Sequence, residues 1–345
     1  MTLISQIQET LKVNYPTQNA NSRSLRTLTQ STFKRFMEID QSYKQDKLTV
    51  LSLGAGHDST ALLAELIFND NMRRKIAPER FLVVMSDTGN EHDETYNYIP
   101  FLQKLCDTHD IEFYFITKEM GFHSPAWQSL VEFYERTRTC GSKVFKRSCT
   151  DNLKVKVIYR FLAWWLQQNY GLKKARKQGF YQFKRLFGKL NVLIGFAKGE
   201  EKRIKKREPI KWRAECINLQ YPLINCLKWS RLDCQRIIRD EYGLELSLPT
   251  NCKFCPYSRP LELLWLKRFH PEDFSHWVRI ERAKLDHFNG RKGTNHGVFP
   301  TPKNAKTSVT LEDIVTKAEE QNPNITDEQL MEYKMVHGHG VMSSF

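Results

Sequence analysis

The chain has 345 residues, of which 40% are hydrophobic and 27% charged, so it can bury a sizeable core in one or two domains. It contains no apolar run long enough to cross a membrane, and its N-terminal residues lack the basic and apolar regions of a secretory signal. These features predict a cytoplasmic protein with no membrane partner, whose eight cysteines are thiols or metal ligands rather than disulfides. The net charge of +14 favours a polyanionic partner.

Strands and helices alternate in the first part of the chain. The predicted elements are a helical N-terminal segment at 1–45, a strand at 48–53, a helix from 59 to about 68, a strand within 80–89, an amphipathic helix within 91–110 and a strand at 111–118. Such alternation implies an α/β fold with a parallel sheet and crossover helices. A ligand of this sheet should bind at the carboxyl ends of the strands, where the loop after the first strand and Asp87 both fall.

The rest of the chain is predicted to be mostly helical. Its expected elements are helices within 124–187, a strand and loop within 190–203, a strand within 216–224, a helix at 230–244 closed by Gly243, and a Trp-rich helical stretch to about 288. We therefore expect three parts. They are the segment at 1–45, an α/β domain at 46–225 with a basic helical insertion at about 124–190, and a helical portion at 226–345 with a C-x-x-C motif and a polar tail.

The loop SLGAGHDS at 52–59 has the features of an anion-binding site. Gly54 and Gly56 let backbone N–H groups approach an anion, and the dipole of the following helix favours negative charge at the same place. Asp58 is suited to bind Mg²⁺ or to cap the helix. A plain turn between a strand and a helix is the alternative interpretation.

Five short segments together resemble one known superfamily. SLGAGHDS resembles the PP-loop, S-G-G-x-D-S, of the ATP pyrophosphatases, with Ala55 in place of one glycine. SDTGNEHDETYNYI, CTDNLKV, GFAKGEEKR and CKFCPY are similar to motifs of the phosphoadenosine-phosphosulfate reductase-like branch, with Gly199 replacing one acidic residue. The segments occur in the family's order across about residues 50–260. Within this branch, the chain is most similar to the DNA phosphorothioation ATP pyrophosphatases.

The resemblance implies both a fold and a reaction. The fold is the adenine-nucleotide alpha-hydrolase-like (PP-loop) class, and the reaction cleaves ATP between its α and β phosphates with Mg²⁺. The catalytic residues implied are Asp58, Asp87, Glu200 and Arg203. The nucleotide-binding residues implied are Ser52, Gly54, Ala55, Gly56, His57, Ser59 and Thr88. Without the motif, Arg203 could equally be one more basic surface residue.

The positions of the cysteines favour a metal site over a reductase function. A reductase of this branch needs a nucleophilic cysteine near its C-terminus, and none follows Cys255, so sulfonucleotide reduction is rejected as the main function. Cys252 and Cys255 have the spacing of metal ligands. Cys149 matches the family's cluster-binding position, and Cys140 is the expected fourth ligand, with Cys234 as the alternative. We expect a [4Fe-4S] cluster, with structural Zn²⁺ as the alternative. Three further cysteines are expected to be ordinary buried thiols. They are Cys106, Cys216 and Cys226.

Much of the excess positive charge lies at 173–207, where basic runs alternate with aromatic residues. The aromatic residues are Phe180, Tyr181, Phe183 and Phe187. A face that binds nucleic acid is one interpretation, because lysine and arginine release counterions from phosphates. An evenly solvated charged surface is the other.

These features predict an enzyme that activates a substrate with ATP for sulfur incorporation into nucleic acid. DNA backbone phosphorothioation is favoured over tRNA thiolation, with a cysteine desulfurase as the sulfur donor, and a homo-oligomer is compatible with the sequence. The alternatives are a small-molecule adenylyltransferase such as a sulfurylase, a reductase-like enzyme, and a non-enzymatic, metal-stapled nucleic-acid-binding protein.

Overall fold

The computed structural model describes most of the chain after the N-terminal segment. The described ranges are 47–144, 148–204, 210–289, 296–302 and 308–337. The helical segment predicted at 1–45 lies outside them.

A parallel five-stranded sheet forms the centre of the described structure, in the order β3-β2-β1-β4-β5. Its strands are β1 (Leu48–Ser52), β2 (Arg80–Ser86), β3 (Glu112–Ile116), β4 (Leu190–Ile194) and β5 (Ile217–Gln220). The predicted α/β class is confirmed, and it is the class that the PP-loop resemblance implies. Because the chain builds outward from β1 on both sides, the direction of winding reverses between β1 and β4. Open α/β sheets bind their ligands at such a switch point.

Helices cover both faces of the sheet. Between the strands lie α1 (His57–Phe68), α2 (Asp70–Ile76), α3 (Asp93–Thr108), α4 (Leu130–Thr137), α5 (Lys156–Tyr170), α6 (Arg176–Phe187) and α7 (Lys211–Cys216). Beyond β5 lie α8 (Arg231–Arg236), α9 (Pro260–Phe269), α10 (Pro271–His287), α11 (Leu311–Gln321) and α12 (Asp327–His337). The predicted helical, cysteine-bearing C-terminal portion is therefore confirmed.

Two helix boundaries differ from the prediction for local reasons. α1 begins at His57, two residues earlier than expected, because Gly56 takes the extended conformation of an N-cap. The Trp-rich stretch forms two helices, α9 and α10, instead of one continuous segment. His270, with φ of −135° and ψ of 62°, precedes Pro271 and leaves the helical region, as residues before proline tend to do.

Alternate residues of β1 point to two separate cores. Leu48 and Val50 join the core beneath α5 and α6, whereas Leu51 joins the core beneath α1 and α3. A strand buried on both faces is expected in a parallel sheet. A third core lies among α4, the C-x-x-C segment and the C-terminal helices, and it buries Trp265 and Trp277.

Within the described part of the chain, none of the helices combines the length and apolarity needed to span a bilayer.

Candidate active site

The loop between β1 and α1 is closed by the Ser59 side chain. The Ser59 hydroxyl accepts a hydrogen bond from the Gly54 N–H (3.1 Å) and donates one to the Gly56 carbonyl (3.2 Å). Gly56 is the N-cap of α1, and no described side chain caps this helix end. Ala55 is fully buried and adopts a left-handed φ of 56°, the conformation that glycine adopts most readily. The loop therefore leaves the N terminus of α1 available to an anion.

Two glycines allow other segments to approach this loop closely. A Cβ on Gly56 would lie 2.7 Å from Oγ1 of Thr250. A Cβ on Gly195, just beyond β4, would lie 2.8 Å from Cα of Ser59. The end of β4 thus contacts the first turn of α1 directly, as the switch-point geometry requires.

A pocket, here called the loop pocket, lies between the loop, the end of β4 and residues 249–250. The residues that line it include Ser52, Gly54, Gly56, His57, Asp58, Ser59, Lys154, Gly195, Arg203, Arg231 and Thr250. Most of the predicted nucleotide-binding residues are therefore brought together at the β1/β4 switch point.

Two buried polar atoms in the wall of the loop pocket have no hydrogen-bond partner among the described residues. They are Oγ of Ser52 and Oδ1 of Asp58, in side chains whose residues are 2% and 7% exposed. A buried polar group without a partner is costly, so such groups indicate a bound ligand or water. A hydroxyl and a carboxylate oxygen beside a helix N terminus fit a phosphate and the cation that accompanies it.

Charged side chains form a chain of ion pairs along one wall. Nη2 of Arg231 lies 3.1 Å from Oδ2 of Asp58 and 3.6 Å from Oε1 of Glu200. Nη1 of Arg203 lies 2.6 Å from the same Glu200 oxygen. The structure thus brings the predicted Asp58, Glu200 and Arg203 together. It adds Arg231, which sequence reasoning missed because its position at the start of α8 carries no motif.

Lys154 lines both the loop pocket and a small cavity bordered by cysteines. Lys154 belongs to a π-helical turn, Thr150–Val155, which contacts the end of β2, where the Leu153 carbonyl accepts a hydrogen bond from the Ser86 hydroxyl (2.6 Å). Nζ of Lys154 lies 3.0 Å from Oε1 of Glu91. Burial lowers the pKa of Lys154, but Glu91, Cys252 and Cys149 together outweigh this and raise the pKa overall. The motif CTDNLKV contains this lysine, although sequence analysis assigned it no role.

Asp87 and Thr88 lie at the end of β2. Neither residue is among the described residues that line the loop pocket. Asp87 accepts hydrogen bonds from the Gly89 N–H and the Tyr96 hydroxyl, both at 2.8 Å, and burial raises its pKa. Thr88 donates to Glu91 (2.9 Å) and lies 3.5 Å from the Cys252 sulfur. Thr88 is therefore on the cysteine side of Lys154.

The four cysteines predicted as metal ligands border two neighbouring cavities. Cys149, Cys252 and Cys255 line the small one. Cys140 and Cys149 line a larger one of about 350 Å³, together with the stacked rings of Trp127 and Phe133. Here these are called the small and large cysteine cavities.

The remaining cysteines lie elsewhere. Cys234, the alternative fourth ligand, lies in the core beneath α1 and α3. Cys106 and Cys216 are buried as expected, whereas Cys226 is exposed, so the expectation of a buried thiol was wrong for that residue. Its position in the turn before α8 leaves its side chain in solvent.

Burial raises the pKa of the Cys140 thiol to about 12 and that of Cys252 well above its ordinary value. Thiolates are the form that binds metals. Lys154 opposes this rise at Cys252, and a metal cation would oppose it more strongly. All four cysteines interact electrostatically with the buried Tyr134, and sulfur is the ligand that clusters and Zn²⁺ prefer. Among the described residues, however, no three of their sulfur atoms lie within 4.8 Å of one another.

The basic stretch at 173–189 exposes its charges but not all of its rings. Lys173, Lys174 and Arg176 are exposed. Phe180 and Phe183 are 2% and 1% exposed and pack in the core. These two rings offer no stacking surface on the basic face. Residues 205–207, the last basic run, lie outside the described residues.

Comparison with known proteins gives little further information. No family model and no curated protein matches the chain. One solved structure with similarity to it is the U34-tRNA thiolase NcsA from Methanococcus maripaludis with its [4Fe-4S] cluster. The identity is 13%, the match covers 87% of this chain and 80% of that one, and the TM-score is 0.36. A likeness at this score supports no conclusion about this chain.

Proposed function

We propose that the protein is an ATP pyrophosphatase that adenylates a nucleic-acid substrate for sulfur incorporation. An oxygen of the substrate attacks the α phosphate of ATP, pyrophosphate leaves, and AMP remains on that oxygen. A sulfur nucleophile then forms a bond to the activated atom, and AMP leaves with the oxygen. The position of the loop pocket at the β1/β4 switch point, with the Ser52 and Asp58 oxygens unsatisfied among the described residues, carries this proposal.

Each part of the loop pocket has a role in this reaction. The uncapped N terminus of α1 and the Ser52 hydroxyl bind phosphate oxygens. Arg203 and Arg231 supply positive charge as the pyrophosphate group departs. Asp58 would hold Mg²⁺ through its unpaired Oδ1, while Arg231 orients the same carboxylate through Oδ2. When bound, Mg²⁺ would stabilise the negative charge that develops on the leaving group.

The cysteines are proposed to support the sulfur step. Lys154 lines the loop pocket and the small cysteine cavity, so the two sites adjoin. We assign a [4Fe-4S] cluster to Cys140, Cys149, Cys252 and Cys255, with Zn²⁺ as the alternative. A cluster or metal held by all four thiols would have no open coordination position, so it would hold the C-x-x-C segment in place beside the loop pocket without binding the transferred sulfur itself.

Nucleic acid is proposed as the substrate because of the exposed basic residues of α6 and the turn before it. DNA is preferred over tRNA on the family resemblance, with a cysteine desulfurase as sulfur donor. Thr88, which lines the small cysteine cavity, and its neighbour Asp87 are proposed to border the path of the activated substrate.

Analysis of the products of labelled ATP tests the reaction. Anaerobically purified protein with Mg²⁺ and DNA should form AMP and pyrophosphate, and Asp58→Asn should lower this rate at least about 100-fold because it weakens Mg²⁺ binding. Asp70→Asn is the matched control, since Asp70 is an exposed acidic residue in the first turn of α2. ADP and phosphate as the products would contradict the proposal.

Replacing DNA by tRNA or by sulfate identifies the acceptor. AMP formation that depends on DNA, followed by sulfur-35 in the DNA backbone after nuclease digestion, supports phosphorothioation. Sulfur-35 in a tRNA base identifies tRNA thiolation instead, and turnover with sulfate alone identifies a small-molecule adenylyltransferase. Salt-sensitive DNA binding without any affinity for ATP would identify a binding protein.

A further inference from the structure

Three side chains that do not line the loop pocket converge where α3 begins. One ligand-type atom from each of His92, Glu94 and His270 lies within 4.8 Å of the others. His92 is the N-cap of α3, Glu94 lies in its first turn, and His270 occupies the junction between α9 and α10. Nε2 of His270 lies 3.1 Å from Oε1 of Glu94.

Two atoms of this group are buried without a hydrogen-bond partner in the described part of the chain. They are Nδ1 of His92 and Oε2 of Glu94, and His92 as a whole is only 2% exposed. A buried imidazole nitrogen and carboxylate oxygen without partners are costly to the fold. Glu94 is hydrogen-bonded to His270, and His92 to Asn251, but these bonds leave Nδ1 of His92 and Oε2 of Glu94 unsatisfied among the described residues.

Glu94 is the acidic side chain best placed to join the two histidines. Asp93 and Asp273 form a second possible group with His270. Both are already ion-paired to Lys253, at 2.9 and 2.8 Å, so they are unsuited to a further cation. The buried Lys334 lies 3.9 Å from Glu262 and donates to the Asn251 side chain (2.7 Å). Glu94 interacts electrostatically with Lys253 and Lys334 as well, while its side chain is hydrogen-bonded to His270.

We propose that His92, Glu94 and His270 bind a divalent transition-metal ion, best suited to Zn²⁺, at a site separate from the cysteines. Two imidazoles and one carboxylate are a ligand set that proteins use for zinc, with a fourth position left to water. The side chains of His270 and Glu94 are 14% and 37% exposed, so the ion and the water have access from solvent.

The position of the site indicates what the ion does. Residues 90–91 pair with the C-x-x-C segment through a bridge between Glu91 and Cys252, and the Lys253 N–H donates to the Asn90 carbonyl (2.7 Å). The next residues along the chain, His92 and Glu94, face His270 from the C-terminal helices. The ion fastens these helices to α3 and thereby holds the C-x-x-C segment against the end of β2.

Titration with Co²⁺ tests the site in the reduced, metal-free protein. Co²⁺ bound to nitrogen and oxygen gives weak visible bands without the intense sulfur-to-metal band that cysteine ligands produce. The wild type should show a sulfur-free class of about one ion per chain. Its affinity should fall at least about tenfold in His270→Ala and in the volume-conserving Glu94→Gln. His276→Ala is the matched control, because His276 lies on α10 and pairs with Glu135 (2.8 Å) instead.

Thermal unfolding in Zn²⁺ supplies a second measurement. Zn²⁺ should raise the melting temperature of His276→Ala as much as that of the wild type, and raise that of Glu94→Gln less. A wild type without the sulfur-free class, or a Glu94→Gln variant that keeps the same affinity, would overturn the proposal. Neither measurement depends on ATP cleavage, so this site and the proposed reaction can fail separately.

Discussion

At the scale of single residues, His57 is held as a neutral imidazole in the wall of the loop pocket. Its Nε2 faces the Ser247 carbonyl at 2.6 Å and must donate, so its Nδ1 accepts from the Gln235 side-chain amide at 2.9 Å. Protonation would turn Nδ1 into a second donor that faces an N–H group. Burial lowers the pKa of His57 to about 4.

This lowered pKa predicts a loss of stability in mild acid. The unfolded chain binds the proton with a pKa of about 6.5, so the free energy of unfolding falls as the pH drops from about 6.5 towards 4. At pH 5 the wild type should lose about 2 kcal/mol from this residue. Urea unfolding at pH 7.5 and pH 5 measures this loss of unfolding free energy in the wild type and in His57→Gln. An equal loss in both proteins would show that His57 is not responsible.

The sequence predicted part of the residue-level arrangement. Ser52, Asp58, Glu200 and Arg203 line the loop pocket or pair with residues that do, and their motifs identified them. Arg231 did not stand out, because no local spacing signals a side chain that reaches the pocket through tertiary packing. Lys154 belongs to the motif CTDNLKV, but the motif alone did not show which pocket it lines. Thr88 lies beside Cys252, which the order of motifs along the chain could not show.

At the scale of elements, the pocket depends on the close approach of β4 to α1. Gly195→Ala would place a Cβ 2.8 Å from Cα and 2.9 Å from the backbone N of Ser59, neither of which belongs to a flexible side chain. We expect the free energy of unfolding to fall by about 1–3 kcal/mol, as for other overpacked sites. AMP formation should fall at least about tenfold, because the first turn of α1 must move.

Gly243→Ala is the matched control for this change. Gly243 has a left-handed φ of 60°, and no heavy atom of the described residues around it would lie within 4 Å of an added Cβ. Alanine therefore costs about 1 kcal/mol of backbone strain there without a clash. It should lower stability and leave AMP formation intact. Equal losses of activity in the two variants would show that the approach of β4 to α1 is not what matters.

The sequence predicted which segments form strands and helices, but it did not predict which face of α6 packs against the sheet. The alternation of strands and helices predicted the parallel sheet, since crossover helices leave few other arrangements. Phe180, Phe183 and Phe187 have the i, i+3, i+7 spacing of one apolar helix face, and two of them are buried. This spacing indicates packing against the sheet, while the intervening lysines and arginines made the stretch look like a mixed surface.

At the scale of the whole molecule, two parts of the chain meet at Lys154. The sheet positions the loop pocket, and the C-terminal helices position the C-x-x-C segment against residues 90–91. Lys154 pairs with Glu91 between them. Sequence order could not predict this junction, because the paired residues come from separate motifs whose contact depends on how the third core packs.

A double-mutant cycle at this junction distinguishes the contribution of Lys154 to stability from its contribution to AMP formation. Lys154→Met leaves the Glu91 carboxylate, whose side chain is 1% exposed, without its partner, so the free energy of unfolding should fall by about 3–5 kcal/mol. Adding Glu91→Gln removes the uncompensated charge and should restore most of that loss. Denaturant unfolding and AMP formation are measured for all four proteins. Because Lys154 lines the loop pocket, we expect the double variant to regain stability but not AMP formation, whereas recovery of both would assign Lys154 a purely structural role.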